Sequence, residues 1–213
     1  MSLMETISGV PPLLVLAVAA GGYILGCFST GYYLVRHHTG QDIRELGSGS
    51  TGARNAGRVL GRRGFLLTAA GDLIKGGLAV WLAMAITGQP TVGLVALLAV
   101  VMGHIWPVQL GLRGGKGVST SLAGLLIYDW RLALIYVGVF VVAFMVIRRT
   151  VAASLVGFAL LPWMFYGWLG GEETQIWGVS VLAALIILAH HHNIMEGFAV
   201  LWSRRGTGEQ PDQ

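Results

Sequence analysis

The chain has 213 residues, of which 54% are hydrophobic and 11% are charged. A soluble domain carries about 25% charged residues, so this chain cannot cover a globular surface with charge and must face lipid. Its net charge of +4 comes without a basic stripe interleaved with aromatic residues, which argues against nucleic-acid binding. The single cysteine, Cys27, excludes an intramolecular disulfide and a cysteine metal cluster.

Seven apolar runs predict an all-α membrane protein, built as one polytopic domain over residues 1–213. The first run has no charged residue from Thr6 to Val35 and is long enough to cross about 30 Å of hydrocarbon. The N-terminus lacks the cationic region of a signal peptide, so this run is predicted to remain as a span. The runs cover about 13–35, 64–87, 91–112, 117–128, 131–147, 151–169 and 174–190, and a frayed polar tail follows from about 203.

The cationic residues decide how many of these runs cross the membrane. With seven spans, all of the fourteen lysines and arginines share one side except Arg131, on the other side, and Lys75, within a span. The positive-inside rule makes the cation-rich side cytoplasmic. Treating 117–147 as one long span would place Arg148 and Arg149 outside. We therefore expect a seven-helix transmembrane bundle with its N-terminus outside and its C-terminus in the cytoplasm.

A glycine-rich segment, GSGSTGARNAGR (47–58), follows the first run and has the composition of a ligand-binding loop. Glycine permits positive φ and close approach of a ligand to the backbone. Guanidinium groups bind phosphate with paired hydrogen bonds. The alternative is a flexible, solvated loop. The candidate residues here are Gly47, Ser48, Gly49, Gly52, Arg54, Asn55 and Arg58.

Only two lysines occur among the cations, Lys75 and Lys116, and arginine bias in the genome would explain their rarity as well as a special role would. Lys116 lies in RGGKGVSTS (113–121), just before an apolar run. Converging backbone N–H groups, a helix N-terminus and an ammonium together form a phosphate site. This turn therefore predicts phosphate binding by Gly114, Gly115, Lys116 and Gly117.

Three polar residues lie within predicted spans. Asp72 and Lys75 in GDLIKGG (71–77) are three apart and so share one helix face. Because an ionised group in the membrane costs about 3 kcal/mol, the pair is retained either as a structural clamp or as part of a polar site. His104 in GHIWP is either a hydrogen-bonded packing residue or a member of that site.

The last predicted span ends in AHHHNIMEG (189–197), where His190 and Asn193 can face one pocket. Successive histidines point about 100° apart on a helix, so they do not form a metal face. The alternative is a polar collar at the membrane surface. The sequence contains no nucleophile elbow, metal-ligand set or dinucleotide fingerprint, so its one consistent chemistry is phosphate recognition on the cytoplasmic side.

Taken in order from about Tyr23 to Asn193, these segments resemble the bacterial PlsY family of integral-membrane acyl-phosphate:glycerol-3-phosphate acyltransferases. DIRELGSGS (42–50) is similar to the family's Asp-x-Arg-x-x-Gly-Ser-Gly-Asn motif. DLIKG (72–76) matches, and GHIWPVQLGLRGGKGVST (103–120) is a near-complete match to GHxFPxFLxFKGGKGVAT. HHHNI (190–194) matches the final HRxNI through its first histidine and its asparagine.

The resemblance implies transfer of a fatty acyl chain from acyl phosphate to the 1-hydroxyl of glycerol 3-phosphate, giving lysophosphatidic acid and phosphate, in the bacterial cytoplasmic membrane. It implies no metal or cofactor, and its partners are the two substrates and membrane lipid. Ser48, Arg58 and Lys116 would hold the glycerol phosphate, and His190, Asn193 and backbone donors of 47–55 the acyl phosphate. Either His190 or the departing phosphate would take the proton. Substrate contacts are expected at Gly47, Gly49, Gly52, Arg54, Asn55, Asp72, Lys75, His104, Gly114, Gly115, Gly117 and Ser154.

The chain departs from the family pattern at four polar positions. Ser50 replaces an asparagine, Arg54 a threonine, Val151 the first serine of Ser-Leu-x-Ser, and Glu196 an arginine. Arg54 either adds a phosphate donor or changes the substrate. The alternatives are a diverged acyltransferase or pseudoenzyme with another phosphorylated acceptor, and a small transporter of a phosphorylated solute, which would spread its charges through the membrane.

Overall fold

The computed structural model describes residues 9–195, and that part of the chain is a helical bundle without strands. Residues 1–8, Glu196 and the polar tail lie outside the described residues. Short 3₁₀ turns occupy Ile43–Glu45 and Val108–Leu110, a π-helical turn occupies Phe165–Leu169, and residues 191–195 are again helical. The main helices are α1 (Pro12–Cys27), α2 (Thr30–Thr39), α3 (Ala53–Thr87), α4 (Pro90–Ile105), α5 (Val118–Tyr128), α6 (Trp130–Ile147), α7 (Thr150–Met164) and α8 (Glu173–Ala189).

All seven predicted apolar runs are helical, which confirms the all-α class. Five segments are long and apolar enough to cross a membrane: Pro12–Thr39, Ala53–Thr87, Pro90–Leu110, Trp130–Ile147 and Thr150–Leu169. The other two are shorter. Helix α5 has 11 residues, which at 1.5 Å per residue cover about 16 Å, roughly half of a hydrocarbon core. Helix α8 has 17 residues.

Two predicted spans differ in shape from the expected continuous helices. The first is interrupted at Phe28 and Ser29, between α1 and α2, and its helical part continues to Thr39. Helix α3 begins eleven residues before the predicted run, at Ala53, and bends at Gly61, where φ is 67°. The predicted run 64–87 therefore starts just after the bend, and the helical turns before it carry Arg54 and Arg58.

The helices approach one another most closely where glycine faces a neighbouring backbone. A Cβ on Gly26 of α1 would collide with the main chain of Val100, and one on Gly103 of α4 with that of Tyr23. Small residues allow this kind of contact between membrane helices. The close α1–α4 contact fixes the end of α4, from which the segment 106–117 emerges.

Candidate functional site

A cavity of about 1050 Å³ opens where three polar segments meet: the loop 47–50, the turn 112–116 and the end of α8. These segments are far apart in sequence, and each was singled out by its composition. The predicted residues that line the cavity are Gly47, Ser48, Gly49, Arg58, Gly114, Gly115, Lys116 and Asn193.

An ion pair fixes the start of the loop. The carboxylate of Asp42 accepts hydrogen bonds from the backbone N–H of Arg44 at 2.9 Å and from its Nε at 2.9 and 3.0 Å and Nη2 at 2.5 Å. These bonds hold the pKa of Asp42 below its ordinary value. Nη1 of Arg44 donates to the carbonyl of Leu110 at 2.5 Å, and the guanidinium lies 5.4 Å from the ring centroid of Tyr32. The pair therefore ties the loop to the segment that leads into the glycine turn.

The amide of Asn55 holds the rest of the loop in shape. Its Oδ1 accepts from the backbone N–H of Ser48 at 3.0 Å. Its Nδ2 donates towards the carbonyls of Ile43 at 3.2 Å, Leu46 at 2.9 Å and Ser50 at 2.9 Å. Asn55 is 1% exposed and is not among the cavity-lining residues. Its side chain positions the loop from behind.

The glycine turn packs against the end of α4 and against the loop. The backbone N–H of Gly114 donates to the carbonyl of Ile105 at 3.1 Å, and that of Gly115 to the carbonyl of His104 at 3.0 Å. The carbonyl of Gly114 accepts from the N–H of Thr51 at 3.3 Å. Gly117, with φ of 79°, then starts α5. The turn and the loop thus form one continuous wall.

The end of α8 closes the cavity from the other side. Nζ of Lys116 donates to Oδ1 of Asn193, a contact between residues 77 apart in sequence. His191 and His192 line the cavity, whereas His190 is buried beside it, with Nδ1 2.8 Å from the carbonyl of Ile186. Burial lowers the pKa of His190, and the charges of Lys116 and Arg54 lower it further. These effects favour the neutral form of the ring.

The charges around the cavity suit an anion. Arg58, Arg113 and Lys116 all line it, and no aspartate or glutamate does so among the described residues. Apolar side chains contribute the rest of the wall, including Trp106 and Leu112. The cavity therefore combines a cationic, glycine-rich wall with apolar surface.

Several predicted contact residues lie behind this lining. Asp72, Lys75 and His104 form a cluster between 3% and 5% exposed. Gly52 is the N-cap of α3 and Gly117 that of α5, and Arg54 lies in the first turn of α3, close enough to His190 to influence its charge. Ser154 forms a hydrogen bond of 2.8 Å with the hydroxyl of Tyr136 between α7 and α6.

Other lining residues were not predicted as contacts. Arg113 directly precedes the glycine pair, and its position beside a phosphate-type turn was an available signal. Ser50, His191 and His192 also line the cavity and belong to the motifs that were quoted. Trp106 and Leu112 had no signal, because apolar residues next to a membrane span are ordinary.

Comparison with known proteins gives consistent results. The model of a family described as glycerol-3-phosphate acyltransferase matches residues 16–199. A glycerol-3-phosphate acyltransferase 1 from Desulfitobacterium hafniense (strain Y51) is 47% identical over 176 residues, which cover 83% of this chain and 87% of the relative. A glycerol-3-phosphate acyltransferase from Gloeobacter violaceus is 37% identical over 201 residues, 92% of this chain and 91% of the relative. The crystal structure of PlsY (YgiH), an integral membrane glycerol 3-phosphate acyltransferase, in its glycerol 3-phosphate form superposes with a TM-score of 0.78 at 29% identity, covering 87% of this chain and 92% of that one.

Proposed function

The chain belongs to the glycerol-3-phosphate acyltransferase family, and on that premise we propose that it transfers a fatty acyl group from acyl phosphate to the 1-hydroxyl of glycerol 3-phosphate. The observation that carries the proposal is the cavity itself. It brings three cations and two glycine-rich segments together, with no carboxylate from residues 9–195 in its lining, and it borders apolar surface of a helical membrane bundle. The products are lysophosphatidic acid and inorganic phosphate.

The cationic wall suits the two phosphate groups that the reaction requires. Arg58 provides a planar guanidinium, and Lys116 a compact ammonium at the turn before α5. With the hydroxyl of Ser48 they bind the glycerol phosphate. Asn193 and the backbone N–H groups of the loop bind the acyl phosphate. Trp106 and Leu112 are apolar residues of the same lining, and we assign them to the apolar chain of the donor.

The chemical step is a direct acyl transfer. The 1-hydroxyl oxygen attacks the carbonyl carbon of the acyl phosphate, a carbon–oxygen ester bond forms, and the bond from that carbon to the phosphate oxygen breaks. The hydroxyl proton leaves with the phosphate or passes to a base. Because acyl phosphate is an activated mixed anhydride, the step requires neither a covalent enzyme intermediate nor a metal. The cations stabilise charge that moves onto the departing phosphate.

Two acceptors are proposed for this proton: the departing phosphate and His190, which is buried beside the cavity. The carbonyl of Ile186 can only accept, so the Nδ1 atom 2.8 Å away carries the hydrogen of the neutral ring. Nε2 is then the nitrogen with a free lone pair. The lowered pKa favours this neutral form of the ring. We therefore assign His190 to orient the hydroxyl or to receive its proton.

The same proposal includes the arrangement in the membrane. The chain forms one polytopic domain of seven spans in the bacterial cytoplasmic membrane, with its N-terminus outside and its C-terminus and cavity on the cytoplasmic side. Helix α5 covers only about 16 Å, so the glycine turn at its start lies below the membrane surface. Irregular backbone at that depth is stable where it lines a water-filled cavity. The turn lines the cavity described above.

Turnover by the purified protein tests the proposal. With palmitoyl phosphate and glycerol 3-phosphate, one phosphate should be released for each lysophosphatidic acid formed. Palmitoyl-CoA should not replace the acyl phosphate, because the sequence has no nucleotide-binding motif. Turnover with carefully purified acyl-CoA would overturn the choice of donor, and failure to form lysophosphatidic acid with either donor would overturn the function.

A further inference from the structure

A buried ionic cluster lies behind the glycine turn and is not used in the proposed reaction. It consists of Asp72 and Lys75 on α3 and His104 on α4, each at most 5% exposed. Nζ of Lys75 is 3.0 Å from Oδ1 of Asp72, and Nδ1 of His104 is 3.5 Å from the same oxygen. Three ionisable residues at this depth in a membrane protein are costly, so a function is expected of them.

The ammonium of Lys75 stabilises the break between α1 and α2. Besides Asp72, its ammonium donates to the carbonyls of Gly26 at 3.2 Å and Phe28 at 2.8 Å. An ammonium has three N–H donors, and these three acceptors use all of them. The carbonyls belong to the end of α1, where a helix leaves such groups without internal partners. Lys75 thus joins α1 to α3 and keeps the Asp72 carboxylate in place.

His104 connects the Asp72–Lys75 pair to the glycine turn. Its carbonyl accepts from the N–H of Gly115 at 3.0 Å. A Cβ on Gly115 would collide with the imidazole ring, including its Nε2 atom, so the ring lies directly beneath the turn. The opposite ring nitrogen faces Asp72. His104 therefore lies between the ion pair and the residue that precedes Lys116.

We propose that His104 is a positioning residue for the phosphate-binding turn, held in its own position by the Asp72–Lys75 pair. None of the three side chains lines the cavity, so they act on the substrate through the backbone of residues 114–116. The arrangement sets where Gly115 and Lys116 lie relative to α1, α3 and α4. This inference rests on the proposed function only for the identity of the ligand.

Kinetics of His104→Ala test the proposal. Loss of the ring should raise the KM for glycerol 3-phosphate about tenfold, because a tenfold weaker affinity corresponds to about the net free energy of one hydrogen bond. The KM for acyl phosphate, which the turn does not hold, should change by less than about twofold, a difference too small to reflect a lost contact. The matched control is Tyr136→Phe, which removes the buried 2.8 Å hydrogen bond to Ser154 between α6 and α7. It should lower Tm and leave both KM values unchanged.

A double-mutant cycle tests the contact itself. Gly115→Ala places a methyl group against the imidazole ring and should raise the KM for glycerol 3-phosphate. In a His104→Ala background the ring is absent, so the added methyl should cost less, and the two effects should not add. Additive effects would overturn the proposal, as would His104→Ala with a lowered Tm and an unchanged KM. His104→Asn, a smaller polar replacement, serves if the alanine variant does not fold.

Binding without turnover separates this proposal from the proposed function. Inorganic phosphate and glycerol 3-phosphate should raise the Tm of the wild type by mass action, and His104→Ala should require about tenfold more of either. If the wild type makes no lysophosphatidic acid but binds both anions, and His104→Ala requires about tenfold more of either, the function fails and the positioning role stands. If the variant forms product but binds both anions as tightly as the wild type, the positioning role fails alone. Absence of both binding and turnover in the wild type would overturn both.

Discussion

Replacing Asn55 by aspartate tests whether a single amide holds the loop that lines the cavity. The two side chains have nearly the same size, so packing is preserved. Aspartate can still accept the N–H of Ser48, which is 3.0 Å from Oδ1. It places an oxygen, however, where Nδ2 now donates to the carbonyls of Ile43, Leu46 and Ser50.

The structure allows the size of this effect to be worked out. Nδ2 carries two hydrogens and faces three carbonyls, so two hydrogen bonds are lost, each worth about 1 kcal/mol, and the new carboxylate is held against carbonyl oxygens that repel it. The total is about 2–4 kcal/mol. If the ordered loop is the active state, kcat/KM should fall about 30- to 1000-fold, since each 1.36 kcal/mol is tenfold.

The assay is kcat/KM for glycerol 3-phosphate together with thermal unfolding of the same preparations. Asn55→Asp should lower both activity and Tm, and it should be at least as harmful as Asn55→Ala, which loses the donors without adding a charge. Tyr136→Phe is the control for a lost buried hydrogen bond away from the cavity. Wild-type activity and Tm in the aspartate variant would refute the role of the amide. Lost activity with an unchanged Tm would show instead that Asn55 contacts substrate.

Two further predictions concern topology and pH. In a Cys27→Ala background, Glu172→Cys should be labelled by an impermeant reagent in intact cells and Arg62→Cys should not; the reverse pattern would place the cavity on the wrong side. Burial and nearby positive charges lower the pKa of His190 below the ordinary histidine value of 6.5. If His190 is the base, the acid limb of the pH profile of kcat/KM should therefore lie below pH 6.5. Arg54→Gln removes one of these charges and should move the acid limb to higher pH. An unmoved limb would show that the limb does not report the titration of His190.

The apolar runs predicted the helices well, because a span needs only length and apolar composition. The break at Phe28 and Ser29 was not predictable, since neither residue is a proline or a glycine and the glycines nearby, Gly26 and Gly31, are common in membrane helices. It is stabilised by tertiary contacts: Lys75 donates to the carbonyls of Gly26 and Phe28 at the end of α1, and Gln109 donates to the carbonyl of Cys27 at 2.5 Å. Such partners come from distant segments, so the local sequence does not reveal them.

The site was predictable in its chemistry and less so in its geometry. Glycines and cations in short motifs identify the turn and the loop, and Ser48, Arg58, Lys116 and Asn193 do line one cavity. The same motifs contain residues that support the lining from behind, such as Asn55. Residue type gives hydrogen-bonding capacity, but only the fold decides whether that capacity is used on backbone or left for a ligand.

The most direct test of phosphate binding by the glycine turn is kcat/KM of Lys116→Ala with palmitoyl phosphate and glycerol 3-phosphate. Loss of a charge-assisted contact worth about 1.5–3 kcal/mol should lower kcat/KM about 10- to 150-fold. Lys116→Arg should restore activity only in part, because a planar guanidinium does not replace a compact ammonium. Tm should change little, since the side chain lies at the cavity wall. Full activity in the alanine variant, or lost stability with unchanged turnover, would contradict phosphate binding by this turn.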